Sequence, residues 1–205
     1  MPRTTRTALA ALAVLALAGC GNDAQQDDPS STDLPGPSVS GELVGPAGEP
    51  RGSVTLSFGS GGTVVDVEAE GLEPGFHGFH LHETGQCEPD SAAPSDPGTT
   101  GPFLSAGGHL SRSGEDHGDH AGDLPPLLVG ADGRAVMTVT SDRLTEADVL
   151  DDDGTAVMVH AGPDNLGNIP ERYAPGGPDE MTLSTGDSGG RVACAALTAA
   201  DLPGQ

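Results

Sequence analysis

No lysine occurs anywhere in this chain; its 8 basic residues are all arginine, set against 31 Asp and Glu, for a formal net charge of -23. Nucleic-acid binding is excluded on that ground, because neutralising a phosphate backbone takes clustered Lys and Arg. Tryptophan is also absent, and 1 Tyr with 4 Phe brings the aromatics to only 2%. Helix-bundle packing fits poorly with so few large apolar side chains, and with Gly 32 and Pro 18 among 205 residues. Turn-rich β structure suits that composition better. No apolar run reaches the ~20 residues that a membrane-spanning helix needs. The length allows one ordinary domain with appendages. The acidity names no partner, since a solvated acidic surface accounts for most such charge.

The longest apolar run, Ala8 to Ala18, follows Arg3 and Arg6 with no acid between. As a helix it rises ~16 Å against a hydrocarbon core of ~30 Å, so it reads as a signal peptide and not as a lasting span. It ends in Leu17-Ala18-Gly19-Cys20, which resembles the lipobox of bacterial lipoproteins. That resemblance implies cleavage before Cys20 and lipid on its thiol, making residues 1–19 the signal peptide. Residues 20–40 hold only Ala24, Leu34 and Val39 as apolar side chains beyond the cysteine and read as a disordered tether to a domain at 41–205. The expected location is extracytoplasmic, lipid-anchored to the cell membrane through Cys20, at a cell surface or in a periplasm. With Cys20 given to lipid, Cys87 and Cys194 remain as one pair in an exported protein, where a disulfide is the default.

Short alternating runs recur from about Gly41 onward. Val54, Leu56 and Phe58 oppose Ser53, Thr55 and Ser57, and Val65, Val67 and Ala69 oppose Asp66, Glu68 and Glu70, the period of half-buried strands. Phe76 to His82, Ala135 to Thr140, Thr155 to His160 and Val192 to Leu197 are further strand candidates, with weaker ones at Ser40 to Val44 and Leu127 to Val129. Only Thr145 to Leu150 reads as helical, with Thr145 as its cap. The expected fold class is all-β: an antiparallel Greek-key barrel or immunoglobulin-like sandwich. Two connections, Glu83 to Pro126 and Ala161 to Arg191, are long enough to be functional loops.

All 7 histidines fall between positions 77 and 160. His80 and His82 alternate with Phe79 and Leu81, so both imidazoles leave one face of a strand while the apolar pair enters the core. His109 follows Gly107-Gly108, and His160 ends the run Val157-Met158-Val159. Four neutral imidazoles of this kind suit Cu(II) better than Mg or Ca, which prefer oxygen.

Gly75-Phe76-His77-Gly78-Phe79-His80-Leu81-His82-Glu83, the Gly-Gly-His109 step, Gly122-Asp123-Leu124, Val159-His160-Ala161-Gly162-Pro163-Asp164-Asn165 and Gly190-Arg191-Val192-Ala193-Cys194 together resemble the copper/zinc superoxide dismutases in order and spacing, from about Ser40 to Leu197. The resemblance implies a Greek-key barrel and one copper per chain on His80, His82, His109 and His160, with a Cys87 to Cys194 bridge tying the loop to the last strand. It implies one zinc per chain on His109, His117, His120 and Asp123, His109 bridging the metals through both ring nitrogens and Asp164 linking ligand histidines of the two sites. His77 matches a non-ligand position. The spacing His117, His120, Asp123 is shorter than the family's usual loop, and one helical turn would gather the three on a face.

The activity so implied is dismutation of superoxide, the substrate partner. Copper alternates between oxidation states, Arg191 orients the anion, and His109 takes up and passes on a proton. A homodimer stays open at this level. The alternative is a copper-binding or copper-delivery lipoprotein without turnover. Against it stand Met1, Met137, Met158 and Met181, which form no thioether cluster in sequence, and Arg191, a cation a storage protein does not need.

Overall fold

The structure is a computed structural model that describes Met1 and residues 36–113 and 115–199. Cys20, the rest of the expected signal peptide and the tether as far as residue 35 lie outside the described residues.

Strands β1 (Ser38–Val44), β2 (Pro50–Gly59) and β3 (Gly62–Glu70) form an antiparallel meander. Alternation sets its faces: Val54, Leu56, Val65 and Val67 are buried, while Asp66, Glu68 and Glu70 meet solvent. The expected strand from Phe76 to His82 is two, β4 (Gly75–His77) and β5 (Phe79–His82). Gly78 between them bonds instead to the later loop, its N–H to the Gly162 carbonyl at 2.8 Å and its carbonyl from His160 N–H at 2.8 Å.

The first long connection holds an exposed hairpin, β6 (Ser91–Ala93) and β7 (Asp96–Gly101), and a 3-10 turn (Leu104–Ala106). β8 (Leu127–Val129) and β9 (Arg134–Ser141) follow. The short helix α1 (Glu146–Val149) has the expected Thr145 cap, whose side chain accepts from Asp148 N–H while Asp148 reaches back to the Thr145 N–H. Then come β10 (Ala156–His160), α2 (Glu180–Thr185) inside the second long connection, β11 (Arg191–Ala196) and β12 (Thr198–Ala199).

One sheet runs β5-β10-β11-β1-β2-β3-β9, with β12 beside β1. Its edges are β5 and β9. β4, just before β5, pairs with β8, just before β9, which draws the two edges together and curls the sheet into a half-barrel. From β9 the chain returns to insert β10 between β5 and β11, a Greek-key connection. The all-β expectation holds.

The concave side is filled by fully buried side chains including Leu43, Leu56, Val65, Phe79, Leu81, Leu127, Val157 and Val159. The opposite face of β5, β10 and β11 positions the chemistry. Met158 lies across from His80 on one side and Cys194 on the other, and Ala156 lies across from His82. Phe103, Ala106, Ala156, Met158 and Cys194 make a second apolar cluster there. Cys87 is joined to Cys194 with Cα atoms 5.7 Å apart across a sequence separation of 107. The first long loop is thereby stapled to β11 beside the histidines.

Candidate metal centre

His80 and His82 leave β5 on the face away from the core because Phe79 and Leu81 fill it. His160 leaves β10 on the same face as Ala156 and Met158, after a register shift between Val159 and His160. The first long loop brings His109 alongside by lying along the free edge of β5: Glu83 N–H donates to the Gly108 carbonyl at 3.0 Å and Leu110 N–H to the Leu81 carbonyl at 2.8 Å. Farther on, Leu81 N–H donates to Gly122 and Leu124 N–H to Phe79, which seats Asp123 opposite His80.

The expected helical turn through His117 and His120 is absent. An irregular turn forms instead, gathered by Asp123 Oδ2, which accepts from Gly118 N–H at 2.7 Å and His120 N–H at 3.1 Å. A carboxylate in the middle of the turn takes up backbone donors that a helix would leave to water at its first turn.

Two four-residue groups result, each with its ligand atoms within 4.8 Å of one another: His80, His82, His109 and His160, and His80, His109, His117 and Asp123. His120 lies outside the second group, but its Nδ1 is 3.3 Å from Asp123 Oδ2. The fixed tautomers decide what such groups can hold. His82 donates from Nδ1 to the Gly107 carbonyl at 3.0 Å and His160 from Nδ1 to Gly189 at 3.1 Å, leaving both Nε2 lone pairs free. His80 and His117 donate from Nε2 to the two oxygens of Asp164, at 2.5 Å and 2.7 Å, which turns the Nδ1 atom of each ring away from Asp164. His80 Nδ1, His109 Nε2, His117 Nδ1 and His120 Nδ1 are buried without any hydrogen-bond partner. A buried polar atom left so costs ~1–3 kcal/mol, and a metal ion is the group these nitrogens fit.

Electrostatics point the same way. Burial lowers His82 well below the ordinary histidine range, His160 to about 3 and, against the pull of Asp123, His109 to about 4. These rings are neutral at pH 7, as ligands must be. Burial also acts to lower His117, but the carboxylates of Asp123, 3.3 Å from its Nδ1, and of Asp164, bonded to its Nε2, prevail and raise it to about 9, so a metal binding there displaces a proton. Burial opposes ionisation of both carboxylates, yet their histidine hydrogen bonds hold them far below the usual range.

Gly186 closes α2 with φ +60, and a Cβ there would run into Asp164 Oδ1 and His117 Nε2. Glycine alone leaves the Asp164 to His117 bond its room. His77 is buried, with its ring nitrogens 2.6 Å from the His160 carbonyl and 2.7 Å from that of Glu73; it braces the backbone and faces neither group, as expected.

A cavity of about 520 Å³ opens over His82, His109 and His160, with Arg191 and Met181 in its wall. Arg191 donates to the Phe103 and Gly107 carbonyls, each at 2.5 Å. Burial lowers its value to about 10, so it stays charged at neutral pH. The sequence reading missed the α2 side of this wall, Met181 and Ser184 with Thr185, and missed the Gly107 and Gly189 carbonyls that set the tautomers.

A family model described as copper/zinc superoxide dismutase matches residues 50–197. A superoxide dismutase [Cu-Zn] of Mycolicibacterium paratuberculosis is 45% identical over 171 residues, 80% of this chain and 75% of that protein. One of Mycobacterium tuberculosis is 44% identical over 168 residues, 78% of this chain and 70% of that protein. The solved Cu/Zn superoxide dismutase of Brucella abortus superposes with a TM-score of 0.61 at 29% identity, over 78% of this chain and 99% of that one. The imidazole cluster, the bridge that staples its loop and the matched sequence agree, and the chain belongs to the copper/zinc superoxide dismutase family.

Proposed function

We propose that His80 Nδ1, His82 Nε2, His109 Nε2 and His160 Nε2 hold copper, and that His109 Nδ1, His117 Nδ1, His120 Nδ1 and Asp123 hold zinc. The family's cofactors are copper and zinc, and its reaction converts two superoxide anions and two protons into dioxygen and hydrogen peroxide. Copper, when bound, supplies the one-electron exchange. The observation that carries the ligand assignment is the convergence of buried ring nitrogens: His80 Nδ1, His109 Nε2, His117 Nδ1 and His120 Nδ1 have no partner, and His82 Nε2 and His160 Nε2 face each other at 3.4 Å.

The rest is the work of the chain's own residues. Arg191 is held by two backbone carbonyls and keeps its charge, so it draws the anion into the cavity and orients it there. His109 lines the same cavity, where its Nε2, whenever it is not a metal ligand, would carry a proton for the product. Asp164 fixes His80 and His117 together, coupling the geometry of the two sites.

The protein works outside the cytoplasmic membrane, anchored through lipid on Cys20. The Ala8 to Cys20 sequence supports this, as does a disulfide of the kind that persists in oxidising compartments.

Diffraction at the copper and zinc absorption edges tests the ligand sets: a copper peak is expected among the first four nitrogens and a zinc peak among the second set. Zinc between His80 and His117 with His120 unengaged would contradict the assignment. Cys20→Ser is expected to release the protein from membranes or leave it unprocessed; continued membrane fractionation at the processed mass would refute the anchor.

A further inference from the structure

A second cavity, of about 480 Å³, shares Gly108, His109 and Ser184 with the first, and the rest of its wall carries Glu83, Glu115, Asp116 and Glu180 beside His120. No arginine lines it. The cavity over the copper ligands has the opposite balance, with Arg191 against the single carboxylate of Asp187.

The four carboxylates are not equivalent. Glu83 accepts from Gly108 N–H, and Glu115 accepts from the N–H groups of Arg112 and Ala121, so both serve the loop's own shape. Asp116 and Glu180 are exposed and their side chains have no hydrogen-bond or ion-pair partner among the described residues. His120 in the same wall is 5% exposed, and its Nδ1 has no partner. Free anionic groups around a buried, unpartnered imidazole nitrogen give a hydrated divalent cation first oxygen and then nitrogen to exchange for its water.

We propose that this cavity is the loading vestibule for zinc, in which Asp116 and Glu180 capture the hydrated ion and hand it to His120 and Asp123, while the anionic substrate uses the Arg191 cavity. The proposal rests on the zinc ligand assignment above. Charges at an entrance act mainly on the association rate and do so in a salt-dependent way, which separates this role from that of a ligand.

The test is zinc uptake by the full-length metal-free protein, followed by stopped-flow displacement of zinc from a chromophoric chelator across a range of ionic strength. Asp116→Asn with Glu180→Gln is expected to slow uptake about tenfold at low salt and flatten its salt dependence. The endpoint should stay at about one zinc per chain and the release rate should be unchanged. Glu42→Gln with Glu68→Gln, on exposed positions of β1 and β3, removes the same charge elsewhere and should leave uptake at the wild-type rate. Unaltered uptake in the first pair, equal slowing in the second, or a lower zinc endpoint in the first would each overturn the vestibule. A wild-type chain that takes up no zinc at His117 and His120 would overturn the ligand assignment as well.

Discussion

His82 and His160 bring their Nε2 atoms to 3.4 Å from each other, although each ring has already committed its Nδ1 proton to a backbone carbonyl, Gly107 for one and Gly189 for the other. Two lone pairs held face to face need a cation between them. Backbone bonds to Gly107 and Gly189 fix which nitrogen each ring presents.

Asp164 extends the same logic to the other tautomers, and its loss should be felt at the metals. An amide has one acceptor oxygen where the carboxylate has two, so in Asp164→Asn either His80 or His117 must present a lone pair to the amide and carry its proton on the metal-facing nitrogen. Affinity for zinc or copper should fall about 10- to 100-fold in chelator competition. Wild-type affinity for both metals would show that Asp164 does not set the tautomers.

The disulfide closes a loop across a sequence separation of 107. In the chain-entropy model such a loop contributes about 4–5 kcal/mol, so Cys87→Ala with Cys194→Ala should lower the Tm by roughly 10 °C or more. Copper affinity should weaken too, because Gly107, which orients His82 and Arg191, belongs to the stapled loop. An unchanged Tm would contradict this.

Proton linkage gives the metal-free protein a definite pH profile. His117 is raised to about 9, so its contribution to stability is complete below ~6.5 and disappears as pH rises through 9. Asp123 and Asp164 are depressed, so theirs is present above ~4 and is lost as pH falls further. The Tm of chelator-treated protein should therefore decline from about pH 7 to pH 10. If zinc binds at Nδ1 as proposed, it would replace the His117 proton, so zinc-loaded protein should not show that decline and loading at pH 7 should release the proton. A flat alkaline profile without metal would refute the linkage.

Arg191→Ala should cut superoxide turnover about tenfold or more with copper still bound, a loss of ~1.4 kcal/mol per factor of ten. Wild-type turnover would remove Arg191 from the site and favour a metal-carrying role.

The sequence made much of this visible. Alternation identified the buried face of β3, Val65, Val67 and Ala69, and His80-Leu81-His82 declared a ligand face because strand geometry is strictly two-fold. The α2 helix was hidden: Glu180–Thr185 is six residues long with Thr182 its only buried side chain, too short for a helical period to register. β6 and β7 were hidden by their Ser, Pro and Gly content and exposed side chains. The partner carbonyls of His82 and His160 were illegible for another reason. Gly107 and Gly189 lie 25 and 29 residues away in the chain and act through backbone oxygen, which every residue has.

One copper per chain, held by the His80, His82, His109 and His160 nitrogens, is expected to carry the reaction. Superoxide decay should be followed by pulse radiolysis while copper is added stepwise to full-length, zinc-loaded protein. Decay should accelerate linearly up to about one copper per chain and then level off, and His82→Ala should abolish the rise. A rate that never exceeds that of buffer, or one that His82→Ala leaves intact, would contradict the account.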